Sequence, residues 1–148
     1  MILLISIKKN KLERVIIFSS QFQLNLFKEI NELYIDGTFK VSPKNWFQFL
    51  NIFGYIKNKN IYIPLSYIIL SSKDEELYTH AFNELINAVK NHCGFDNYGD
   101  IKVMTDFEIS LRISVKNCFK GCILQGCYFH YCKAVWKKLK NTIFLKKI

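Results

Sequence analysis

The stretch IKVMTDFEISLRISVKNCFKGCILQGCYF, Ile101 to Phe129, decides the fold class. Ile101 to Thr105 is a short apolar run of strand character that delivers Asp106 at its end. Ile109 to Phe119 then has the spacing of a helix, with Ile109, Ile113 and the stem of Lys116 turned inward. Cys122 to Phe129 returns to strand. A basic helix from about His130 to Lys140, carrying Ala134, Val135 and Trp136, follows. Strand alternating with helix in this way predicts an α/β unit.

Upstream, Arg14 to Phe18 (RVIIF) is a β-branched strand, and Gln21 to Asn31 places Phe22, Leu26, Phe27 and Ile30 at helical spacing. Tyr34 to Phe39 (YIDGTF) is again extended. Trp46 to Ile56 and Ile61 to Ser71 are two extended runs separated by Lys57-Asn58-Lys59-Asn60, a hairpin signature. Both faces of the second run are apolar, so both are expected to be covered, and Pro64 points to an edge or a bulge. Ser72 to Glu75 fits a capping box, and Leu77, Ala81, Phe82, Leu85, Ile86 and Val89 mark an amphipathic helix that Gly94 should stop. Antiparallel strands leading into a βαβα run predict a mixed sheet.

At 148 residues, half of them hydrophobic, the chain can bury a core without disulfides. Residues 1–13 read as a weakly patterned N-terminal extension and 14–148 as one domain. Pro and Gly are scarce, and no segment repeats. The longest apolar-leaning run, Ile61 to Leu70, is about half the ~20 residues that a membrane-spanning helix needs, and Met1 to Ile7 lacks the marks of a secretory signal, so no membrane association is expected. Five cysteines, at 93, 118, 122, 127 and 132, are expected as reduced thiols in cytosol or nucleus. No phosphate-binding glycine loop and no serine nucleophile elbow is present, which excludes those hydrolase classes.

The formal charge is +9, and its placement is more informative than its size: residues 111–148 carry nine Lys or Arg and no Asp or Glu. Lys133, Lys137, Lys138 and Lys140 in this block are candidate DNA contacts, since neutralised phosphates release counterions. A solvated helix face is the plainer alternative. Trp46 and Trp136 read as core residues, although Trp136 among these lysines would also suit a DNA-facing surface.

Asp36 and Asp106 each follow a strand-forming run, where Asp is ordinarily avoided. If the two strands are neighbours, the carboxylates converge and offer the hard oxygen ligands that magnesium or manganese takes. Two structural alternatives stay open: Asp-Gly is a common turn, and an Asp closing a strand often caps the next helix. Cys127 and His130, two residues apart, form half of a zinc site that Cys118, Cys122 or Cys132 would have to complete; buried thiols beside a satisfied histidine are the plainer reading. His80 and His92 lie on the long helix and are assigned no catalytic role.

These segments, in order, resemble the transposase domain of Mutator-like elements (MULE). The resemblance is carried by Arg14 to Phe18, Ile35-Asp-Gly-Thr-Phe-Lys40, the Gln-bearing strand Phe47 to Gly54, Ile63-Pro-Leu65 with Leu70 to Lys73, Val103-Met-Thr-Asp-Phe-Glu108 and Gly126-Cys-Tyr-Phe-His130, and it covers roughly residues 14–140. It implies a ribonuclease-H-like fold with an Asp-Asp-Glu triad that binds Mg2+ or Mn2+ for DNA strand cleavage and transfer. DNA, as transposon ends and target, is the implied partner, the nucleus the implied location, and a homo-oligomer stays open. Asp36 and Asp106 match the first two acids, and Cys127 with His130 matches the Cys-x-x-His motif. Glu108 matches a family position that is not the third acid. That third acid lies beyond Cys-x-x-His in the family, whereas this sequence has no Asp or Glu after Glu108, so the catalytic set is incomplete and the core is expected to be C-terminally truncated.

Overall fold

The computed structural model of the chain describes residues 2–8, 13–38 and 42–145. Met1, Phe39 and Lys40, named above, lie outside this set, as do Lys146 and Lys147 of the basic block. The elements are β1 (Ile2–Lys8), β2 (Arg14–Ser20), α1 (Gln21–Leu26), β3 (Glu32–Thr38), β4 (Gln48–Ile56), β5 (Ile61–Leu70), α2 (Glu75–Cys93), β6 (Lys102–Thr105), α3 (Ile109–Cys118), β7 (Ile123–Gly126) and α4 (Tyr128–Leu145). One seven-stranded sheet takes the order β1-β2-β5-β4-β3-β6-β7. The strands from β1 to β3 in that order pair antiparallel, and β6 and β7 then add parallel to β3. The result is a mixed α/β sheet, as expected from the sequence. Residues 1–13, read as a weakly patterned extension, contribute β1, which pairs with β2 from Ile2↔Ser20 to Lys8↔Arg14.

Alternation decides which sheet face is covered. Leu33 and Ile35 of β3, Leu50 and Ile52 of β4, and Val103 of β6 are all buried, and with Leu77, Tyr78, Phe82 and Leu85 of α2 and Leu111 and Val115 of α3 they make one core. Every second residue points to the other face, so a slip by one position in any strand would expose its apolar set. Pro64 sits where the β4–β5 register shifts, opposite Phe53 and beyond the end of the β2 ladder at Tyr67, so its missing N–H breaks no ladder bond there.

Four local readings are corrected. The cap of α2 is Asp74, whose carboxylate accepts the Leu77 N–H at 2.8 Å, while Ser72 donates its hydroxyl to Asp74. The α3 stripe is rotated: Ile109 is 74% and Ile113 39% exposed, and Leu111, Ser114 and Val115 face inward. Ser114 is tolerated there because its hydroxyl bonds to the carbonyls of Ser110 and Glu75, both at 2.9 Å. The strand expected to reach Phe129 ends at Gly126, and α4 begins at Tyr128. On α1, Phe22 is exposed and Leu24 takes its place inside.

Among the described residues no helix is long and apolar enough to cross a membrane. Phe82 holds the α2–α3 layer together, stacked on Tyr78 at 6.3 Å and edge-on to Phe119 at 5.5 Å. Replacing Phe82 with Ala is expected to cost about 3–5 kcal/mol of unfolding free energy in urea denaturation; a loss below about 1 kcal/mol would show that this packing does not organise the core.

Candidate active site

The parallel pairing of β3, β6 and β7 builds the site. Ile35 pairs with Thr105, and Thr105 with Gly126. One residue further along each strand stand Asp36, Asp106 and Cys127, side by side at the carboxyl ends of three neighbouring parallel strands. Adjacent strands lie about 4.8 Å apart, which sets the scale of the spacing between these positions. The Cys127 N–H donates to the Thr105 carbonyl at 2.8 Å, which carries the β6–β7 pairing up to this row. Carboxyl ends of parallel strands are the usual place for ligand sites in α/β sheets.

Asp36 is not in a turn. It pairs with Asn51, and Gly37 pairs with Leu50, within the β3–β4 ladder. Gly37 is required by a close approach: a Cβ there would lie 2.1 Å from Nε2 of the buried Gln48. The Asp36 side chain is 56% exposed, on the sheet face opposite Leu33 and Ile35. Asp106 has left the strand and is half-buried, and its Oδ1 accepts the Glu108 N–H at 3.0 Å. This is the turn-forming role that an Asp ahead of a helix commonly takes, although the cap residue of α3 is Glu108 itself. The bond also fixes one carboxylate oxygen and leaves the other free.

His130, in the first turn of α4, brings Nε2 to 4.0 Å from Asp36 Oδ1. Tyr34, Ile35, Asp36, Met104, Thr105, Asp106, Cys127, Phe129 and His130 line one cleft of about 230 Å³. Asp36, Asp106, Cys127 and His130, singled out from sequence, therefore share a single cavity. Met104, Phe129 and Tyr34 were not singled out; Tyr34 lies two residues before Asp36 in an alternating strand, which places it on the same face.

Among the described residues no three His, Cys, Asp or Glu side chains are assembled to hold a metal. Burial pushes the Cys118 thiol up to about 11 and raises that of Cys122. The Cys118 thiol donates to the Thr79 carbonyl.

Lys133, Lys137, Lys138 and Lys140 stand exposed along α4, outside the cleft. His130, Lys133 and Lys137 recur at i, i+3 and i+7 and share one helix face, while Tyr128, Tyr131, Val135 and Leu139 share another. Trp136, read as core, is 61% exposed with the Lys140 ammonium 5.4 Å from its ring centroid. Trp46 is half-buried beneath the Arg14 guanidinium, 4.7 Å away.

Residues 32–134 match the family model of the MULE transposase domain. No curated protein and no solved structure matches the chain.

Because Gln48 is fully buried beneath Gly37, Gly37→Ala is expected to lower stability by about 1–3 kcal/mol. Urea unfolding measures it; an unchanged midpoint would mean that Gln48 moves aside freely.

Proposed function

The chain belongs to the MULE transposase domain family, and on that premise we propose that it is a DNA-processing core of the nucleus in which Asp36 and Asp106 hold a magnesium or manganese ion where strand cleavage and transfer occur. The observation that carries this reading is the alignment of the two carboxylates at the ends of adjacent parallel strands, in one cleft. Two hard oxygen donors suit these ions, which keep several waters and take the rest of their shell from carboxylates and phosphates. When bound, such an ion neutralises charge at the phosphorus and lowers the pKa of an attacking water.

The chain's own residues supply the rest. Asp36 is open to solvent and free to turn toward a ligand, while Asp106 is oriented by the Glu108 amide. His130 supplies a polar ring at the cleft wall. From it, Lys133 and Lys137 continue along α4 as a track for the phosphates of a bound strand. This basic face is how the region without acids would meet DNA, its charge acting independently of sequence.

The donor set does not extend to two ions. After Glu108 the sequence has no carboxylate, so the third family acid has no counterpart in these residues. We therefore read this polypeptide as able to bind DNA and one divalent ion but not to cut. The second reading, a DNA- or partner-binding protein derived from a transposase, is supported by the exposed lysines of α4.

Two outcomes check this. In calorimetry, Mn2+ binds the wild type and is lost in Asp36→Asn, while neither protein cleaves a nicked transposon-end substrate; manganese-dependent cutting that Asp36→Asn abolishes would overturn the assignment of inactivity. In DNA titrations at several salt concentrations, changing both Lys133 and Lys137 to Ala should reduce the slope of log affinity against log salt by about 2, roughly 0.9 per phosphate contact. An unchanged slope would take α4 out of the DNA interface.

A further inference from the structure

We propose that Tyr78 is a positioning residue for the carboxylate pair: from the buried side of the sheet its hydroxyl ties the strand bearing Asp36, through Gln48, to the turn bearing Asp106, through Glu108. The functional consequence rests on the two-carboxylate reading above; the geometry does not.

Tyr78 is fully buried within the apolar stripe of α2, and its hydroxyl lies within hydrogen-bonding distance of Gln48 Oε1 and 2.9 Å from Glu108 Oε1. Gln48, the first residue of β4, is also fully buried, an arrangement that costs stability unless its amide is bonded. It packs directly beneath Gly37, the residue after Asp36. Glu108 donates its backbone N–H to Asp106. One phenol thus connects the backbone next to one carboxylate with the amide that orients the other.

Proton bookkeeping gives the chain a direction. A single hydroxyl proton cannot be donated fully to two acceptors, and Gln48 Nε2 has no acceptor of its own. An amide turned end for end has the same shape. In that orientation Nε2 donates to Tyr78 Oη, and the single phenol proton goes to Glu108. Burial and the neighbouring carboxylates of Glu108 and Asp106 raise the Tyr78 phenol above its ordinary range, which keeps it protonated and a donor. With its carboxylate held by Tyr78, Glu108 keeps the backbone angle that aims its N–H at Asp106.

The test uses the full chain carrying Tyr78→Phe, which removes the hydroxyl and leaves the ring in place. Without metal, amide exchange by NMR should be about tenfold faster at Glu108, with the β1–β2 ladder unchanged. Calorimetry should then show Mn2+ affinity weakened by about tenfold, the usual scale for losing a group that orients a ligand. Glu108→Ala, at a half-exposed position, should give the same two changes, and combining it with Tyr78→Phe should add nothing. If Tyr78→Phe does not fold, Glu108→Ala alone decides. Unchanged Glu108 exchange overturns the proposal, as does unchanged Mn2+ affinity in a variant of a wild type that binds Mn2+. A wild type that takes up no Mn2+ defeats the metal reading instead, and the exchange rate at Glu108 then decides whether Tyr78 positions the turn.

Discussion

The parallel register of three short strands is the constraint on which everything else depends. Four ladder positions join β3 to β6, and four join β6 to β7. Such short ladders are held less by their own hydrogen bonds than by what each strand buries. Leu33, Ile35, Val103 and Thr105 all face the helices and are almost fully buried, so a slip by one residue would exchange them for Tyr34, Met104 and Lys102. The same slip would separate Asp36 from Asp106. The hydrophobic pattern that stabilises the sheet therefore also sets the spacing of the site.

The two faces of the sheet divide the labour. One face, under α1, α2 and α3, carries the core and the buried Gln48–Tyr78–Glu108 contacts. The other presents Asp36 to the cleft, which α4 borders through His130. Charge follows this division. The carboxylates sit at the strand ends, and the excess of lysine lies on the helix that leaves them. A polyanion would be drawn to α4 and repelled by the bare carboxylates, so a cation at the strand ends is what would make the surface continuous for a phosphate backbone.

Periodicity made the mixed sheet and most elements legible in the sequence. The β4–β5 hairpin and the α2 stripe were strong signals because turn residues and spacing agreed. What was missed has physical causes. The β1 strand lies in a segment without strong punctuation and becomes visible only through its partner β2. In α3 the apolar residues offer two overlapping stripes, and a buried serine, satisfied by backbone carbonyls, tips the choice. Cys127 looked like strand because Tyr128 and Phe129 are strand formers, yet both open α4. The two aspartates could be picked out by residue type, but their register could not. Gln48 was noted only as part of a strand carrying the resemblance, and Tyr78 carries no sequence signal, since an amide and a phenol in apolar runs look like ordinary strand and helix residues until their partners are seen.

Two like charges abreast raise the question of what lets the fold tolerate them. At the strand spacing of about 5 Å, two carboxylates would repel by about 0.8 kcal/mol in water and about 3 kcal/mol at an effective dielectric of 20. The exposure of Asp36 keeps this site near the lower figure, and the Glu108 amide, with His130 close to Asp36, offsets part of it. The repulsion is therefore a modest standing cost, small enough that folding does not require a metal to relieve it. A divalent ion would reverse its sign, turning repulsion into two attractions at the same geometry. A water-exposed Asp36 beside a half-buried Asp106 would thus leave the site folded with or without an ion, and binding energy would be free to order the cleft and not the sheet.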